Sequence, residues 1–183
     1  MPKKPKITLT QLRKALKSKN DSVRYNAMFD FAHSEVTPDA IATLHGALTD
    51  SHVGVVRYAA VALGKLGPAI LSFGRPVLDV PQMVWDLIKA ARRVDPVTGM
   101  PQAYEDCLEA LVKIAPTEEL VIGLIHDYIG LTNWYPLKAS LQALKIIGTT
   151  EALDLLERAA VFWTPELDKK QKRIVQEIVS GKR

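Results

Sequence analysis

The sequence predicts an all-α protein, a stack of about five antiparallel helical hairpins running through its 183 residues. Three observations carry that prediction. The stretch from Asp50 to Gly67, DSHVGVVRYAAVALGKLG, places Val56, Ala59, Ala60, Leu63 and Leu66 at the three-and-four spacing of one apolar helix stripe. Ser22-Val23-Arg24-Tyr25 matches Val55-Val56-Arg57-Tyr58 at an offset of 33 residues, and Ala110-Leu111 matches Ala143-Leu144 at the same offset, a period proper to helical-hairpin repeats. Stop signals fall between the periodic segments, as at Gly67-Pro68, where a terminal glycine precedes a residue that cannot continue the helix. A stripe so narrow, with alanines at its centre, cannot bury itself alone, so neighbours of the same kind are required.

In chain order, Thr8 is expected to cap a first helix reaching about Lys17, with Leu12 and Leu16 on one face. The turn Lys19-Asn20-Asp21 leads to a second helix from Ser22 to His33. Thr37-Pro38-Asp39 predicts the next helix start, threonine as N-cap and proline in the first turn, with the helix continuing to about Leu48. Val53 to Gly67 completes the second hairpin. The next related motif, Ala110 to Ala115, lies 48 residues after Ala62 to Gly67 rather than 33, so about fifteen residues are inserted, mostly in 68–81. That insertion carries three prolines and has room for a short helix over Ala69 to Phe73. Helices are then expected over Gln82 to Arg93 and Pro101 to Ala115, separated by a turn at Asp95 to Gly99. Pro116-Thr117-Glu118-Glu119 opens a helix ending near Gly130, with its acids favoured by the helix dipole. Trp134 to Gly148 pairs with it, and Thr150 to Phe162 with Pro165 to Val179 makes a fifth hairpin.

Val56-Arg57, Ala59-Ala60 and Ala62-Leu63-Gly64 together resemble the second helix of a HEAT repeat, and VRYAAVALGKLG is similar to the HEAT-like repeats of phycobilisome lyases. The resemblance implies one right-handed α-solenoid domain over 1–183, with 1–7 a basic, disordered tail and 68–81 an insertion between the second and third repeats. It also implies that the second helices line a concave surface. By phase, the solvent-facing positions there are Tyr25, Tyr58, Lys65, Asp106, Glu109, Lys113, Lys138 and Gln142, with Trp134 and Tyr135 at one helix entrance. In such repeats the arginine of Val-Arg joins a turn aspartate in a ladder between neighbours; Asp21, Arg24, Asp50 and Arg57 stand at the corresponding places.

The net charge of +4 sums three unlike segments: +7 over 1–24, −6 over 25–165 and +3 over 166–183. Basic ends beside an acidic middle oppose a phosphate-binding face, although the alkylpurine DNA glycosylases also use a HEAT-like arch with tryptophans and an Asp. Trp85, Trp134 and Trp163 are present here. With one cysteine, Cys107, no internal disulfide or Cys/His metal cluster can form, and no metal or cofactor is expected. No apolar run is long enough to span a bilayer or to follow the N-terminal lysines as a signal, so a cytoplasmic protein without membrane contact is expected. His33, His45, His52 and His126 are scattered, with no HExxH, GxSxG or GxxxxGK motif, and Cys107 lies among apolar residues on its helix. Asp30, on an otherwise apolar face, is the one carboxylate that attracts notice.

The expected function is therefore non-catalytic: a protein-protein interaction module or assembly scaffold. Its expected contacts are Tyr25, Tyr58, Lys65, Phe73, Arg75, Glu109, Lys113, Trp134 and Tyr135, since aromatic and arginine side chains dominate binding energies. Two readings stay open for Tyr25 and Tyr58, binding or packing between hairpins, and two for the insertion, recognition or a junction cap. Nucleic-acid binding through the basic surface and a lyase-like chaperone role for a cofactor-bearing protein are the alternatives.

Overall fold

A computed structural model describes residues 7–67, 69–72, 80–115, 119–130 and 133–181. Among these residues there are eleven α-helices, two short 3₁₀ turns and no strand. The chain divides into two compact units, Met1–Ile114 and Ala115–Arg183.

The first unit contains α1 (Leu9–Ala15), α2 (Asp21–Ala32), α3 (Ile41–Ala47), α4 (Val53–Leu66), α5 (Ala69–Ser72), α6 (Val80–Ala91) and α7 (Tyr104–Ile114). Helices α2, α4 and α7 form a row, α4 packing on both of the others, and α1, α3 and α6 lie against α2, α4 and α7 respectively. The row is possible because α4 is narrow. Val55, Val56, Ala59, Ala60, Ala62 and Leu63 are all fully buried, which places apolar atoms on nearly every side of one helix. At Gly64 a Cβ would stand 3.2 Å from the Ala110 Cα on α7, so this residue sets how closely the two helices approach.

Local chemistry corrects several boundaries. Thr8 caps α1 in a capping box with Gln11, as the sequence suggests. Thr37 does not cap; its hydroxyl turns to the Asp39 carboxylate, and Pro38–Ala40 forms a 3₁₀ turn before α3 begins. Helix α7 starts at Tyr104 rather than Pro101, because Val94 and Pro101 form a β-bridge and the Gln102 N–H donates to the Arg93 carbonyl. The Asp95 carboxylate meanwhile accepts from the Val97 and Thr98 N–H groups, closing the turn that the sequence places there. Phe73 and Arg75, with most of the 68–81 insertion, lie outside the described residues, as do residues 1–6 of the basic tail and 116–118.

The second unit contains α8 (Glu119–Ile129), α9 (Trp134–Ile147), α10 (Thr150–Trp163) and α11 (Lys169–Ser180). Helix α9 is its centre, packed by α8, α10 and α11. Pro136 sits in the first turn of α9, where it has no hydrogen bond to lose, and Asn133 caps that turn. The last helix begins later than Pro165 suggests. Thr164–Glu166 is a 3₁₀ turn, and Asp168 is the N-cap, in a capping box with Gln171. The Trp163 indole N–H donates to the Ile129 carbonyl at 2.7 Å, tying the end of α10 to the end of α8.

Val56, Ala60, Leu63, Leu111, Leu141 and Leu144 have no exposed surface. Leu63→Ala in the first unit and Leu144→Ala in the second are each expected to cost about 2–5 kcal/mol in chemical denaturation, by lost transfer energy and an unfilled cavity. A cost below about 1 kcal/mol at either position would contradict the packing described.

Candidate partner-binding face

Along the row α2–α4–α7 the sequence places aromatic, charged and small residues on one face, and the fold brings most of them into contact. Tyr25 and Tyr58, 33 residues apart in the chain, meet with ring centroids 5.7 Å apart. Phe29 joins them, edge-on to Tyr58 at 5.0 Å. His33 lies 4.3 Å from Phe29 and 5.6 Å from Tyr58, and His52 meets Tyr25 at 5.5 Å. The result is a strip of five rings. Tyr25, Phe29, His52 and Tyr58 are half-buried, and His33 is exposed. Burial pushes the Tyr58 phenol above its ordinary range, and a hydrogen bond with the Tyr25 hydroxyl adds to the shift.

Gly54 makes room for one end of the strip. A Cβ there would fall 2.5 Å from the Tyr25 ring and 3.0 Å from the His52 ring, so the absent side chain is what seats Tyr25 against the start of α4. The His52 Nδ1 is buried without a hydrogen-bond partner among the described residues.

Beside the rings runs a set of ion pairs. Arg24, 8% exposed, donates from Nε and Nη2 to the two carboxylate oxygens of Asp50 at 2.8 and 2.9 Å, and from Nη2 also to Asp21 at 2.7 Å. Its Nη1 donates to the Ser18 carbonyl, and Nη2 is shared with the Ser51 hydroxyl as well. Asp50 in turn accepts the His52 N–H, and its carbonyl accepts from Arg93, whose Nη2 also reaches the Ser51 carbonyl. The turn before α4 is thus clamped from both neighbouring hairpins. Burial alone would raise the Asp50 pKa, but the bonds from Arg24 and the His52 N–H outweigh it and hold the carboxyl below its usual range. Arg57 behaves differently: it pairs with Asp106 on α7 at 2.5 Å rather than with a turn aspartate. The α3 and α6 side of the unit carries one more tie, His45 Nε2 to Asp86 at 2.9 Å, with Lys89 on the second oxygen. Desolvation would raise Asp86, and the bonds from Gln82, His45 and Lys89 lower it overall.

The other sequence-derived positions fall as follows. The Lys65 ammonium donates to the Ala32 carbonyl at the end of α2, where a cation suits the helix dipole. Glu109 and Lys113 pair with each other on the exposed face of α7. Asp30 is exposed, so it is not an acid held on a buried apolar face. Cys107 is fully buried, and burial, with the Asp106 charge, pushes its thiol well above the ordinary range. Trp134, half-buried, and Tyr135, exposed, stand at the start of α9 in the second unit. Sequence reasoning passed over Phe29, His33, His52 and Arg93. The local signals were the four-residue spacing of Phe29 and His33 after Tyr25 on one helix and, for His52, Gly54 in an otherwise helical run.

Among the described residues no group of three or more His, Cys, Asp or Glu side chains is arranged to hold a metal ion, and no helix is long and apolar enough to cross a membrane. Compared with known proteins, the chain matches no family model and no curated protein.

Asp50 and Asp86 have folded-state pKa values below those of the unfolded chain, so each stabilises the fold fully above the unfolded value of about 4 and loses that contribution as pH falls through the folded value. The melting temperature is expected to be level above about pH 5 and to fall steeply below about pH 4. Asp50→Asn should lower it at neutral pH more than Asp106→Asn does, and should flatten the acid limb. Gly54→Ala is expected to displace the Tyr25 ring and cost about 1–3 kcal/mol by overpacking. Near-ultraviolet circular dichroism checks the displacement, and an unchanged aromatic signal with unchanged stability would refute it.

Proposed function

We propose that the chain is a HEAT-like helical-repeat module of the cytoplasm whose work is non-catalytic: it binds another protein on the α2–α4–α7 face of its first unit. The observation that carries this reading is the five-ring strip Tyr25, Phe29, His33, His52 and Tyr58. Rings that touch one another yet keep part of their area in water supply large, rigid contact surface at little further cost in side-chain entropy. The clamped turn beneath supports the reading, because a face held by Arg24, Asp50 and Arg93 is pre-organised before a partner arrives. Packing between hairpins accounts for the buried side of the strip. It does not account for the exposed edge of His33, whose Nδ1 is engaged by the Phe29 carbonyl while its ring lies against Phe29 and Tyr58.

Affinity capture with the parent chain, identification of the retained protein, and reconstitution of the pair from purified components test the proposal. His33→Ala and Tyr58→Ala are each expected to weaken the purified complex by at least about 1 kcal/mol. His33→Ala should do so with only a small fall in melting temperature, because the side chain is exposed and loses one hydrogen bond and two ring contacts. Arg158→Ala, on the second unit, is the control and should leave affinity as it is. A purified complex that tolerates both substitutions on the strip would refute this site.

A further inference from the structure

One end of the second unit combines features that its own folding does not explain. Helices α9 and α10 are joined by the short turn at Gly148 and Thr149, so the start of α9 lies level with the end of α10. Lys145 near the end of α9 donates to the Val179 carbonyl near the end of α11, and α11 packs along both α9 and α10, so it runs beside α9 in the same sense and begins at that same level. Tyr135, Val161, Phe162 and the Lys169–Arg173 segment therefore share one end of the unit.

Tyr135, Val161 and Phe162 are 65%, 77% and 70% exposed. A side chain lining a groove is shielded by the groove's walls, whereas exposures this high mean that the three stand proud of their neighbours. Their base is firm. Phe162 packs edge-on against Trp163 at 5.1 Å, and Trp163 is itself buried and tied to Ile129.

The charges beside them run against the helix dipole. The first turns of α11 hold Lys169, Lys170, Lys172 and Arg173 and no acid, although a helix start favours acids by about 0.3–1 kcal/mol each. Asp168 is engaged as the N-cap and Arg173 pairs with Glu177. Among the described residues, Lys169, Lys170 and Lys172 have no acidic partner within ion-pair distance. At the other end of α11 the dipole is satisfied in the ordinary way, by Lys145. Cations and exposed apolar side chains at the same end of the unit match the chemistry of an external surface that is both anionic and apolar beneath.

We propose that this end of the second unit docks on the surface of a bilayer containing anionic lipids, with Tyr135, Val161 and Phe162 entering the interface and Lys169, Lys170 and Lys172 meeting the headgroups. A bilayer surface fits apolar side chains that stand in water at one end of the unit, and an aliphatic Val161 among them suits acyl chains better than stacked nucleic-acid bases, which need aromatic platforms. Each basic side chain near such a surface contributes roughly five- to tenfold in binding, and burial of a phenylalanine a similar or larger factor.

Co-sedimentation of the full chain with vesicles of phosphatidylcholine alone, and of phosphatidylcholine mixed with phosphatidylglycerol, tests this, alongside fluorescence anisotropy with a single-stranded oligonucleotide. Binding to the mixed vesicles only, weakened by added salt, is expected. Val161→Ser with Phe162→Ser, and separately Lys169→Glu with Lys170→Glu, should each reduce it by at least about tenfold. All four positions are exposed, so far-ultraviolet circular dichroism should match the parent; the glutamate pair should melt slightly higher, because acids suit a helix start, and the serine pair at most slightly lower. The proposal is overturned by absent or equal binding to the two vesicle types. It is equally overturned by variants that bind as the parent does, or by capture of the oligonucleotide without capture of vesicles.

Discussion

Helix α4 can lie between two parallel neighbours and against a third only because its side chains are small, and the first unit depends on that constraint. Ala59, Ala60, Ala62 and Gly64 leave room for α2, α3 and α7 to approach, while Val55, Val56 and Leu63 fill what remains. The 3.2 Å that would separate a Gly64 Cβ from the Ala110 Cα shows how little slack there is. Interiors packed this closely have two states for such a helix, seated or not, and few between. The position of every ring on the outer face follows from this seating, because Tyr58 is carried by α4 and Tyr25 is received by its Gly54.

The polar framework is built to the same end. A buried arginine is costly unless its donors are satisfied, and Arg24 has its guanidinium shared among Asp50, Asp21, Ser51 and the Ser18 carbonyl. Asp50 and its neighbour Ser51 also present carbonyls to Arg93 from the following hairpin. One turn therefore joins three hairpins, through groups that satisfy one another. The more exposed Arg57–Asp106 and His45–Asp86 pairs add registration between helices rather than comparable burial. The two proposed surfaces draw on different parts of the chain. The ring strip rests on this clamped framework, and the apolar and basic end of the second unit rests on the Trp163 anchor.

Helical periodicity, the Val-Arg-Tyr repeat and the alanine stripe were by themselves enough to determine an all-helical chain, the place of most helices and a core containing Val56, Leu63, Leu111 and Leu144. Those signals are local, since a helix writes its buried face at a spacing of three and four residues. Boundaries at Thr37, Pro101 and Pro165 went differently because side chains chose partners that a one-dimensional pattern does not reveal: Thr37 took Asp39, the residues around Pro101 formed a bridge, and Asp168 capped α11 beyond Pro165. The pairing of Arg57 with Asp106, across 49 residues, likewise depends on where α7 lies against α4. Tyr25 and Tyr58 were legible as equivalent positions, and Phe29 and His33 follow Tyr25 at four-residue spacing on one helix, but the contacts of Phe29 and His33 with Tyr58 and of His52 with Tyr25 came from the meeting of two hairpins. The sequence determined the elements and their buried faces, because propensity and hydrophobic pattern act within a few residues. Tertiary structure alone decided which side chains meet, because contact between distant residues is set by how closely whole helices can pack.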